Sequence, residues 1–207
     1  MRFYTHVVSL IIGLLAVATP RITHAAMESS AIANACNALA QESFGLKDLV
    51  LVINANKAGA AMTDVFDEFN DLFDAVLDNI GLVTGTLVIA DPAAQQSVYE
   101  AYSYFVQGLF ELMDGISTSA TTFITLDSQN EFRIPMEVQT LRGVVDAYFF
   151  NVISVFPANS SYSSQSNNQK GQVDSHFRQA VHAFHLATAK SPNPYSNVTS
   201  AKMRMRL

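Results

Sequence analysis

Tryptophan is missing from this chain, cysteine occurs once, and only 14% of the residues are charged. A single thiol, Cys36, cannot form an intramolecular disulfide, so stability has to come from packing. Within an Ala-rich helical stretch it reads as a small buried hydrophobe, in preference to a reactive or intermolecular thiol. Basic residues are also scarce. Twelve Lys and Arg face 18 Asp and Glu, a net charge of −6 that argues against nucleic acid and anionic lipid surfaces as partners. Several chemical signatures are absent as well. No Gly-x-Ser-x-Gly elbow occurs, no glycine loop is shaped for phosphate, and no carboxylate run has the spacing and glycine of an EF-hand. These gaps lead us to expect no enzyme, no cofactor and no metal.

What is present begins with a leader. Arg2, a mostly apolar stretch at residues 7–18, Pro20, and Thr23 and Ala25 at small-residue positions read as a secretory signal peptide cleaved after Ala25. Ala16-Val17-Ala18 offers an earlier site. The apolar run is shorter than the roughly 20 residues a spanning helix needs, and no later segment supplies one, so no transmembrane anchor is expected. Loss of residues 1–25 removes Arg2 and Arg21, leaves 10 basic against 18 acidic residues, and brings the net charge to −8. Residues 26–189 read as a single domain, and residues 190–207 as a disordered tail with a basic end at Lys202, Arg204 and Arg206.

Hydrophobic periodicity through the domain is helical. Residues 31–41 and 46–53 form two helical pieces punctuated by Gly45, or one bent helix. In residues 62–80, Met62, Val65, Phe66, Phe69, Leu72, Phe73, Val76, Leu77 and Ile80 recur at three and four residues, while Asp64, Asp67, Glu68, Asp71, Asp74 and Asp78 fill the other side. Gly81 and Gly85 end it, and residues 83–90 suit a short extended connection. Asp91-Pro92 starts a long helix, aspartate capping and proline at the first position, which runs through Val98, Tyr102, Phe105, Leu109, Met113 and Ile116 toward Phe123. Ser128 and Glu131 have the spacing of a capping box before a helix carrying Pro135 and reaching Phe156. On that helix Val138, Leu141, Val145, Tyr148, Phe149, Val152 and their neighbours cover about half the circumference at 100° per residue, with Phe150 farther round. Residues 157–172 are rich in Ser, Asn and Gln and read as a solvated loop, and a final helix follows from Val173 through Phe184. The fold expected is all-α, a bundle of about five amphipathic helices.

Candidate chemical groups are weighed against ordinary roles. His182 and His185, three apart, could share a helix face with His176 nearby, but the Glu-x-x-His pairs of bundle metal sites are missing, so solvent-facing or structural histidines are expected. The acidic face of residues 62–80 is expected to be a solvated surface. Two sequons, at Asn159 and Asn197, fall in segments read as loop and tail, and both are glycosylation candidates.

Taken together, the leader, the cysteine-poor acidic chain, the successive amphipathic helices and the polar tail resemble the fungal hydrophobic-surface-binding protein family, which includes cell-wall galactomannoproteins. The likeness extends over residues 31–189 and is carried by Val65-Phe66-Asp67-Glu68-Phe69-Asn70-Asp71-Leu72, by Tyr104-Phe105-Val106-Gln107-Gly108-Leu109, and by Phe177-Arg178-Gln179-Ala180-Val181-His182-Ala183-Phe184. The resemblance implies a secreted or wall-associated protein that adsorbs to hydrophobic surfaces or holds a fatty acyl ligand between its helices, with wall polysaccharide as a further partner. It offers no catalytic residues. The polar stretch after Pro157 departs from simpler members.

More apolar girth than five helices can hide among themselves is the physical expectation behind this reading. Phe105, Leu109, Met113, Tyr148 and Phe149 are the candidate lipid- or surface-contacting side chains. The rival expectation is a structural, antigen-like wall glycoprotein with no ligand pocket.

Overall fold

A computed structural model describes residues 28–57 and 62–190. The expected leader, the expected tail from Ser191 and the Asn197 sequon lie outside the described residues. Among those described there is no strand. Five helices follow one another: α1 (Ser29–Asn56), α2 (Met62–Val83), α3 (Pro92–Leu126), α4 (Asn130–Ser154) and α5 (Ser161–Lys190).

Each boundary has a local cause. Lys57 adopts a left-handed φ of 51° and returns its N–H to the Ile53 carbonyl at 2.8 Å, closing α1. Gly85, at φ 82°, turns the chain out of α2, a conformation glycine adopts without steric cost. The Asp91 carboxylate accepts from the Ala94 amide at 2.8 Å, so the expected cap of α3 is in place with Pro92 behind it.

Of the two readings of α1 the single helix holds: Gly45 does not divide it, because its exposed, uncrowded position lets the helix run through. Two expectations are corrected. The Ser128–Glu131 capping box does not form; Asp127 instead accepts from the Gln129 amide at 2.9 Å ahead of α4. The polar segment expected as a loop is largely helical, since α5 begins at Ser161, with the Ser160 hydroxyl accepting from the Ser163 amide at 3.1 Å. Tertiary contacts hold that segment. Tyr102 donates to the Ser166 carbonyl at 3.0 Å, Lys170 pairs with Asp146, and Tyr162 packs against Tyr99 with ring centroids 5.1 Å apart.

Cross-helix pairs fix the topology. Gln41 meets Tyr104 and Asn54 meets Thr122, so α1 and α3 run parallel. Tyr102 meets Ser166 and Phe123 meets Phe184, so α5 runs parallel to α3. Phe66 meets Arg133 and Thr84 meets Asn151, which sets α2 parallel to α4. Asp146–Lys170 and Arg142–Asp174 run in opposite order, making α4 antiparallel to α5. The chain therefore alternates up and down. A layer of three helices, α1–α3–α5 with α3 in the middle, lies on a layer of two, α2–α4.

The central position of α3 explains its composition. Flanked by α1 and α5 and facing α4, it buries residues around most of its circumference, from Val98 to Phe123. At its crossing with α1 the approach depends on a glycine: a Cβ on Gly108 would stand 3.1 Å from the Ala40 carbonyl oxygen and from the Ser43 Cβ. Small residues let the two backbones close.

Candidate functional site

The five side chains expected to contact lipid lie in the interior. Phe105, Leu109, Met113, Tyr148 and Phe149 are all buried, at most 1% exposed. Phe105 meets Phe149 edge-on at 5.5 Å and Tyr148 at 6.0 Å, and Phe149 meets Tyr102 at 4.7 Å. Sitting between the two layers, they occupy one another's apolar surface. Contact with an outside surface would require the helices to separate.

Cys36 belongs to the same interior. It is fully buried, and its Sγ lies 3.2 Å from the Tyr148 hydroxyl, either group donating. Burial pushes the thiol up to about 12, against the smaller opposing effect of that hydrogen bond, and burial likewise holds the Tyr148 hydroxyl well above its ordinary value. A thiol this hard to ionise is a packing group, since the thiolate is the nucleophile.

The apolar girth of the long α3 is thus absorbed by its neighbours, whereas that of α4 is not. Phe132 and Phe150 are 72% and 71% exposed, with Met136 about half exposed. Along the same outward stripe stand Gln139, Thr140, Gly143 and Ala147, all exposed and uncharged. Charged neighbours on α4 turn to its flanks: Arg133 lies over the Phe66 ring at 3.9 Å on the α2 side, while Arg142 and Asp146 pair with Asp174 and Lys170 of α5. Sequence reasoning placed Phe150 outside the main stripe but did not single out Phe132 or Met136. Their helical phase, about 120–180° from Val138 and Val145 at 100° per residue, was the available signal.

Beside the C-terminal end of α4 runs the connection out of α2. The Ile89 amide donates to the Val155 carbonyl at 2.8 Å, and Thr84 donates to Asn151 Oδ1 at 3.3 Å. This anchoring leaves Leu82, Leu87 and Val88 exposed next to the end that carries Phe150. Both α2–α4 pairs, 66 with 133 and 84 with 151, share one offset, which sets exposed Leu77 level with Val144.

Polar groups sort into three places. All six α2 carboxylates are exposed, forming a solvated acidic flank. On the α1 side of it, burial and then the charges of Asp71 and Glu68 raise the Glu42 carboxyl above its ordinary value. His176 leaves the other two histidines and clasps α3, its Nδ1 2.9 Å from Asp114 Oδ1 and its ring stacked on Phe110 at 4.3 Å. His182 and His185 stand with Arg142 and Arg178 around a cleft of about 300 Å³ between α4 and α5. A second cavity, about 590 Å³, lies where α2 begins beside the α3–α4 turn; Asp67 and Asp127 share its wall with Arg133. Neither cavity is lined by the five interior candidates.

Among the described residues no cluster of three or more His, Cys, Asp or Glu is arranged to hold a metal ion, and no helix is long and apolar enough to cross a membrane. Asn159 is exposed in the turn between α4 and α5. No protein family, curated protein or solved structure matches this chain.

Proposed function

We propose that this is a secreted or cell-wall-associated helical protein that adsorbs to hydrophobic surfaces, or to fatty acyl chains presented at one, through the outer flank of α4 and the adjoining 82–88 connection. One observation carries the reading: an uncharged stripe with Phe132, Met136 and Phe150 open to solvent on a helix whose opposite face is already committed to the core. Burying about 300 Å² of such surface at about 25 cal/mol per Å² contributes about 7 kcal/mol before ordering costs. The resemblance to hydrophobic-surface-binding proteins points the same way. Acyl chains then lie along the flank and not between the helices, because the interior side chains are packed on one another.

The test is adsorption to alkyl-coated beads by a protein carrying Phe132→Ser, Met136→Ser and Phe150→Ser together. With an unchanged circular dichroism spectrum, the triple variant is expected to bind at least tenfold more weakly than the parent. Equal adsorption by both proteins removes the proposal.

A second reading, a wall glycoprotein whose glycans matter more than any apolar contact, is favoured by the exposure of Asn159 within its Asn-Ser-Ser sequon. Asn159→Gln then abolishes wall retention while leaving bead adsorption intact. Retention unchanged by the loss of that sequon would exclude the second reading.

A further inference from the structure

Two of the three arginines among the described residues, and two of their three histidines, converge on the α4–α5 cleft of a chain that is otherwise acidic. The arrangement is ordered by one carboxylate. Asp174 accepts from Arg142 Nε at 2.6 Å, has Arg142 Nη2 at 2.5 Å, and pairs through its other oxygen with Arg178, one turn along α5. One negative charge holding two guanidiniums leaves one positive charge uncompensated at the mouth of the cleft. Each guanidinium has five N–H donors, so donors remain free after Asp174 is served. Below them the floor is apolar, formed by buried Val138 and Phe177 with half-buried Val181, while His182 and His185 add polar edges.

We propose that this cleft binds a small aromatic carboxylate. A single surplus charge matches a monoanion better than a dianionic phosphate. The planar fork of a guanidinium is matched by a planar carboxylate, which it grips with two parallel N–H bonds. The floor of Val138, Phe177 and Val181 takes a flat apolar body, and about 300 Å³ stands at the small end of the ligand-site range of roughly 300–1,000 Å³. Because the Arg142–Asp174 pair ties α4 to α5, the walls are set before the ligand arrives, which limits the ordering cost of binding. This site faces α5 and shares only Gln139 with the outward stripe of α4; none of Phe132, Met136 and Phe150 lines it, so it stands or falls apart from surface adsorption.

Calorimetric titration of the full chain with 2-naphthoate tests it, alongside acetate, which has the head group without the rings, and 2-naphthalenemethanol, which has the rings without the charge. Saturable binding of one naphthoate per chain is expected, with both comparison compounds at least tenfold weaker. Arg178→Gln, at a side chain two-thirds exposed and safe for the fold, should weaken naphthoate at least tenfold, and His185→Gln several-fold. Lys170→Gln, which removes the same unit of charge two turns away, should leave it unchanged. Absence of saturable binding overturns the proposal, as does an Arg178→Gln protein that binds like the parent or naphthalenemethanol binding as tightly as naphthoate.

Discussion

Phe149 and Phe150 are adjacent in sequence and identical in side chain, yet one is 1% exposed and the other 71%. A 100° step around α4 separates them. Phe149 is directed between Phe105 and Tyr102 in the interior; Phe150 is open to solvent. The inner half of α4 shows how the bundle is held, and the outer half shows what the bundle has to spare. Phenylalanine occurs on both sides, so a count of large apolar residues along the helix could not tell core from spare surface.

Perturbing the inner side should have the largest effect. Phe149→Ala removes a ring packed on three others and should cost about 3–5 kcal/mol in urea unfolding. An effect below about 1 kcal/mol would show that the interior is loosely packed. The glycines repeat the contrast. Gly108→Val drives a side chain into the backbone of α1 and should cost about 2–3 kcal/mol, whereas Gly143→Ala, with nothing within 4 Å of its Cβ, should gain up to about 1 kcal/mol from helix propensity. Equal responses at the two positions would contradict the close α1–α3 crossing. Tyr148→Phe strips the buried Cys36 thiol of its partner and should cost about 1 kcal/mol, without making the thiol alkylatable in the native state.

The smallest expected effect is electrostatic. Glu42 has a raised folded-state pKa, so its protonated form favours the fold; that contribution is present below the unfolded-state carboxylate pKa and disappears as pH rises through the raised value. Glu42→Gln should therefore stabilise the protein at neutral pH by about 0.3 kcal/mol, a modest figure because the side chain is exposed and screened, and should make no difference below the carboxylate range. A gain that grew as pH fell would have the wrong sign for this cause.

The same helical phase governs how much could be read from the sequence. Val65, Phe69, Leu72 and Val76 of α2 announced their stripe because six carboxylates marked the opposite side. The long α3 was legible as a helix but not as the middle of a layer, since Leu109, Leu112 and Met113 look alike whether they meet a neighbour or solvent. Residues 161–172 failed as a prediction for a different reason. Their helicity is held by Tyr102, Asp146 and Tyr99, which lie far off in the chain, and local composition carries no trace of those partners. The cleft between α4 and α5 was half visible: His182 and His185 stood out, but Arg142 joins them only through the antiparallel register of the two helices.

Peroxide oxidation of two methionines, one on the outer flank and one in the interior, tests the central claim most directly. Met136 is half exposed on the outer flank, and Met113 is sealed in the core. Mass spectrometry of protein free in solution and adsorbed to alkyl-coated beads should find Met136 oxidised in solution and shielded on the beads, with Met113 unreactive in both. Met136 oxidising equally fast on the beads would contradict adsorption through the outer flank, and Met113 becoming reactive there would mean that the bundle opens to bind.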